Sequence, residues 1–196
     1  MKRILIAVVL TGLALLGLGA PANARGVQRP WNVDFYGGTT EIIWAPGFDF
    51  ATNPWATDTF DGRCPSGASW VITNGGTGSG TYLGDFTWTS VHCTKLTSLT
   101  PPNAEISGGR LDFTAANGDL LYESYEAAGG IELRGDQLCA PTAATFVGGT
   151  GRFAHAEGTA LEDGCWPASI QGPVIHDLVV HSNGTITFDA SDRSRR

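Results

Sequence analysis

The sequence predicts an all-β protein of eight or nine short antiparallel strands, closed as a barrel or stacked as a sandwich. Three observations carry that prediction. Glycine fills 27 of 196 positions, about twice its usual share. Charged residues make up only 16%, and aromatic and β-branched residues are plentiful, which excludes both a helical bundle and a disordered chain. Beyond residue 24, no stretch of ten or more residues has a 3.6-residue apolar period, while period-2 runs recur between glycine-rich turns.

The chain opens on a segment that stands apart from the fold. Lys2 and Arg3 precede an apolar run from Ile4 to Leu18, Pro21 breaks it, and Ala22-Asn23-Ala24 follows with small residues at both key positions of a cleavage site. The run is short for a membrane-spanning helix of about 20 residues. Residues 1–24 therefore read as a cleaved signal peptide, with the mature chain secreted or periplasmic. The leader holds two of the 12 basic residues and none of the 19 acidic ones, so the mature chain has ten basic residues and a net charge of −9. Such a field repels nucleic acid and anionic membrane surfaces. Arg193, Arg195 and Arg196 form the one basic cluster, read as a solubilising tail over 193–196.

Residues 25–63 read as an aromatic-rich arm. Trp31, Phe35, Tyr36, Trp44, Phe48, Phe50, Trp55 and Phe60 crowd it without clear alternation. Covering or plugging a barrel explains them better than an aromatic platform for a flat ligand, because an exposed set of that size would aggregate.

The barrel domain is placed at 64–192. Ala68–Thr73 reads as a strand, 74–80 as a glycine turn, and Tyr82–Cys93 as a long strand with Tyr82, Gly84, Phe86 and Trp88 on one face. Residues 97–103 form a loop. Glu105–Ala115 alternates Leu111, Phe113 and Ala115 against Arg110, Asp112 and Thr114. Asn117-Gly118 suits a type I′ turn, and Leu120–Ala127 returns from it. Ile131–Arg134 and Ala143–Val147 are short strands with a loop at 135–141, and Gly148-Gly149-Thr150-Gly151 turns into a strand from Arg152 to Glu162. Val174–His181, Asn183-Gly184 and Thr185–Asp189 read as a last hairpin.

An exported chain with four cysteines suggests two disulfides. Cys64 and Cys93 flank the first hairpin, and Cys139 and Cys165 bracket the second, so Cys64–Cys93 and Cys139–Cys165 are the expected pairs.

Three motifs stand in order: Thr81-Tyr82-Leu83-Gly84-Asp85-Phe86, Phe113 through Leu120, and Phe146 through Gly158, which contains Gly148-Gly149-Thr150-Gly151-Arg152-Phe153. The last resembles the GGTGRF segment of the allene oxide cyclase-like and dirigent-like barrels, and the three together resemble small exported bacterial members of that type. The resemblance spans roughly residues 66–190. It implies an eight-stranded antiparallel barrel, no cofactor, dimers or trimers, and, in members with known activity, ring closure or radical coupling of apolar substrates. It carries no catalytic residue onto this chain.

The glycine segment does not make a phosphate loop, which needs Lys-Ser or Lys-Thr opening a helix. Its glycines serve a tight turn. Glu123 shares a strand face with Leu121 and Tyr125. If that face lines the barrel, a carboxyl in an apolar cavity beside a phenol is poised as a general acid or base. If it faces outward, Glu123 is an ordinary surface carboxylate, and Leu120 and Tyr122 on the opposite face leave both options open. Tyr82, Phe86, Trp88, Glu123 and Tyr125 are the cavity candidates. Asp85 and Arg152 are weaker ones, equally read as surface charges or a structural pair. His92, His155, His176 and His181 lack metal-ligand spacing, so no metal is expected. Asn183-Gly184-Thr185 fits a glycosylation sequon. The first functional reading is a non-catalytic barrel that binds a small apolar or aromatic ligand or self-associates. The alternative is a cofactor-free cyclase or isomerase using Glu123 and Tyr125.

Overall fold

Alternating inward and outward residues build the walls of the molecule. The computed structural model describes residues 26–47, 64–99, 102–168 and 174–189. The leader expected over residues 1–24, Phe48, Phe50, Trp55, Phe60 and the three C-terminal arginines lie outside the described residues. The strands are β1 (Arg29–Trp44), β2 (Trp70–Gly80), β3 (Gly84–Leu99), β4 (Pro102–Thr114), β5 (Leu120–Ala127), β6 (Glu132–Arg134), β7 (Gln137–Gly149), β8 (Glu157–Pro167) and β9 (Leu178–Thr187). Neighbours pair antiparallel in the order β5-β4-β3-β2-β1-β9-β8-β7, and β5 pairs with β7 to close the ring. Eight strands thus form a barrel without free edges, and β6 is a three-residue flap on β7. The described residues contain no α-helix, only the single 3-10 turn Gly151–Phe153.

The segment expected to be an arm departs from that expectation. Its residues 29–44 are a wall strand between β2 and β9. Trp31, Val33 and Phe35 point into the core, while Asn32, Asp34 and Tyr36 point out. The exposed Tyr36 and the run Gly37-Gly38-Thr39-Thr40 mask the alternation.

The glycines at 75–80 were expected to turn, yet they lie in β2, and the turn falls at 81–83. A Cβ at Gly76 would overlap the Tyr36 carbonyl oxygen, and one at Gly78 would overlap the Phe86 ring. Here glycine permits close strand approach and leaves room for aromatic rings. Asn183-Gly184 is likewise no hairpin. It runs mid-strand in β9, where Asn183 pairs with Asn32 on one side and Leu161 on the other. Pairing on both sides overrides the turn preference of the dipeptide.

Two turns differ in detail. At 115–119 only Gly118 has positive φ (86°), and its N–H donates to the Ala115 carbonyl at 2.9 Å, which is a type I turn followed by a left-handed glycine rather than type I′. Arg152-Phe153 forms the 3-10 turn, and the strand opens later, at Glu157. The disulfides are Cys64–Cys93 and Cys139–Cys165 as expected, the second joining residues that face each other in the β7–β8 register.

Candidate functional site: a half-hollow barrel with a buried carboxyl pair

The barrel interior has two unlike ends. At one end, Trp31, Phe35, Phe86, Phe113 and Phe146 pack edge to face at centroid distances of 4.8–5.8 Å for the Trp31–Phe146, Trp31–Phe113, Phe35–Phe113 and Phe86–Phe113 pairs. Leu83, Phe153 and Phe188 complete this plug. Such arrangements match the ring quadrupoles and fill the lumen. At the other end, small residues replace rings: Ala104, Ala140, Gly164 and Ser98 border a cavity of about 300 Å³.

The cavity walls are mainly apolar, with Trp70, Ile72, Trp88, Leu96, Trp166 and Leu178 prominent. Its polar lining is concentrated in Asn74, Ser90, His92, Tyr125, Thr142 and Glu162. Each of these follows from strand alternation. Ser90 and His92 continue the inward face of β3 that begins with Phe86 and Trp88. Glu162 lies between Ala160 and Gly164 on the inward face of β8, directly across from Thr142 on β7 and Ser182 on β9.

Glu123 sits beside this floor and has no solvent exposure. Burial raises its pKa well above the ordinary carboxyl range, and the neighbouring Glu162 charge and a hydrogen bond with Glu162 raise it further. Glu162 is pushed up by burial to about 7, held there against hydrogen bonds from Ser182, Thr142 and Glu123 that lower it. The Thr142 hydroxyl donates to Glu162 Oε2 at 3.2 Å, and Trp31 Nε1–H donates to Ser182 Oγ at 2.8 Å. Two facing carboxylates in a low-dielectric interior cannot both ionise. The pair therefore keeps at least one proton, held by Glu123, while Glu162 ionises first.

The second polar pair is His92 and Tyr125, joined Nδ1 to Oη at 2.7 Å. Burial lowers His92 to about 4. Burial likewise raises the Tyr125 phenol, with a Ser90 hydrogen bond opposing. Their hydrogen bond therefore joins two neutral groups at neutral pH. The floor thus combines a proton-sharing acid pair with a neutral phenol–imidazole pair, an arrangement able to donate or accept a proton in an apolar space.

The structure scatters the sequence candidates. Trp88 and Tyr125 line the cavity. Glu123 lies buried beside its floor. Phe86 belongs to the aromatic plug, and Tyr82 packs edge to face against Phe188 at the plugged end, 5.2 Å between centroids. Asp85 is exposed. Arg152 pairs with Asp119 (3.6 Å) and lies over the Phe153 ring. Asn183 of the sequon is exposed on β9. His181 and His155 sit outside, against Asp34 and Asp189. The sequence reading did not select His92, Ser90, Thr142 or Glu162. Extending the Phe86/Trp88 face by two and four residues finds Ser90 and His92. Cys139, Asp163 and Cys165 come together, but the disulfide leaves no thiolate for a metal.

No family model matches the chain, and no curated protein does. Among solved structures, it is similar to one described as the structure of the pterocarpan synthase dirigent protein GePTS1, at 12% identity and a TM-score of 0.39, covering 84% of this chain and 88% of that one.

Proposed function

We propose that this protein is exported and binds a small, largely apolar or aromatic ligand inside its barrel. One observation carries the reading: the lumen is packed solid at one end and hollow at the other, and the hollow end has apolar walls with a few convergent polar groups at its floor. That is the usual build of a small-molecule site. Two disulfides and the signal-like leader support export. Recovery of a mature chain beginning at Arg25 tests that part.

Gly164 offers a clean test of the site. It lies on the cavity wall, and a Cβ there would make ordinary contacts of 3.5 Å with Leu178 and Val180. Gly164→Phe should fold, fill the cavity and abolish the thermal stabilisation that apolar aromatic compounds give the native protein. Ligand-dependent stabilisation that survives in the filled variant places the ligand elsewhere and sinks the reading.

A second reading is favoured by the Glu123–Glu162 pair. Two carboxyls sharing a proton beside a neutral phenol and imidazole suit cofactor-free acid–base isomerisation or cyclisation. Its signature is a bound compound recovered as an isomer of unchanged mass. Recovery of unaltered compounds from Glu162→Gln and native protein alike counts against it.

A further inference from the structure

We propose that the cavity selects ligands carrying a protonated amine, seated with its ammonium group on the Glu162 carboxylate and its apolar body toward the tryptophans. The inference rests on the ligand-binding reading above and adds the charge class of the ligand.

Four observations lead there. Glu162 reaches the cavity although only 6% exposed, so it is a built interior group rather than a surface charge. Its hydrogen-bonding partners, Thr142, Ser182 and the protonated Glu123, are all neutral groups. Among the described residues lining the cavity there is no Lys or Arg, so the negative charge of the pair has no fixed counter-cation. The surrounding walls carry Trp70, Trp88, Trp166 and Tyr125, whose ring faces attract cations. An alcohol would leave the charge uncompensated in a low-dielectric space. A carboxylate would add repulsion. An ammonium group compensates the charge, and aromatic walls replace part of its lost hydration.

The site also sets a pH dependence. The titratable groups around Glu162 are Glu123 and Tyr125 from β5 and His92 from β3, while β1, β7 and β9 present Trp31, Thr142 and Ser182. Raising pH through the range where Glu162 ionises strengthens the hold on a cation and leaves a neutral probe unaffected.

The test is calorimetry on the intact mature protein with three probes that share one ring system: tryptamine, tryptophol and indole-3-acetate. At pH 7.5, tryptamine should bind at least about tenfold tighter than tryptophol, with indole-3-acetate weakest. Glu162→Gln should bring tryptamine down to the tryptophol level and leave tryptophol nearly unchanged. If that variant does not fold, the native protein decides: between pH 5.5 and 7.5 tryptamine affinity should rise severalfold while tryptophol stays flat. Tryptophol binding that Gly164→Phe abolishes, with no advantage for tryptamine, overturns the amine proposal and leaves the cavity reading standing. Absence of binding by all three probes overturns both.

Discussion

Glu123 is a carboxylic acid shut away from water. Its side chain is fully enclosed, and its carboxyl can stay buried because it keeps a proton and offers it to Glu162. Glu123→Gln preserves the size and replaces the acid O–H with an amide N–H donor. That variant should match native stability at pH 5 and exceed it at pH 8, where the native pair bears the cost of ionisation. Glu123→Ala removes volume and donor together, and should destabilise by roughly 2–4 kcal/mol. Chemical denaturation at both pH values checks the pair. A Gln variant as damaged as Ala at pH 8 would show that Glu123 acts there as a carboxylate. The sequence makes the pairing of Glu123 with Tyr125 visible through their period-2 spacing. It does not show which face is inward, because Leu120 and Tyr122 make the other face equally apolar. Only ring closure decides. Glu162 escaped notice for a related reason: its partner lies 39 residues away on a strand that is not its neighbour, so no local pattern joins them.

The strands hold a second lesson, about glycine. The alternation of β3, β4 and β5 and both cysteine pairs could be read directly, because a hairpin places its partners at equal distances from the turn. The ends of β2 and β9 could not. Local glycine preference points to turns at 74–80 and 183–184, yet there the chain uses glycine for close backbone approach across strands. The same residue type plays different parts that burial alone distinguishes. A Cβ at Gly76 collides with the carbonyl oxygen of Tyr36, which is backbone and cannot swing away. Gly76→Ala should therefore disturb the β1–β2 pairing and lower stability by about 3 kcal/mol or more. Gly164→Ala, whose Cβ meets the Leu178 and Val180 side chains at 3.5 Å and the Ala140 carbonyl oxygen at 3.9 Å, all ordinary distances, should change stability by less than about 1 kcal/mol. Thermal or urea unfolding of the two variants compares them directly. Equal losses would mean that strand glycines matter here for backbone freedom rather than for space.

At the scale of the whole molecule, three interior groups tie stability to pH, and they pull in opposite directions. Glu162 rises from its ordinary value of 4.5 to about 7, and Glu123 rises further in the same sense. Each therefore binds more protons folded than unfolded. Their stabilisation is complete below the unfolded carboxyl value and is lost as pH rises through the folded one. His92 falls from 6.5 to about 4, so it binds fewer protons folded, and its contribution is complete above 6.5 and is lost as pH falls toward 4. Between pH 4.5 and 6.5 two carboxyls oppose one imidazole, and stability declines gently with rising pH. Above 6.5 the imidazole no longer counters them, and the decline steepens until Glu162 has ionised. The Glu162 shift alone corresponds to on the order of 3 kcal/mol, which is several degrees of melting temperature for a domain of this size. The protein should thus melt highest near pH 5 and several degrees lower at pH 8, the reverse of a protein held together by surface carboxylate ion pairs. Glu162→Gln should flatten the upper part of that profile, and His92→Phe should steepen the lower part. A native melting temperature that climbs from pH 5 to pH 8 would mean that both carboxyls ionise freely in the folded barrel, and the polar floor of the cavity would then have to be open to water.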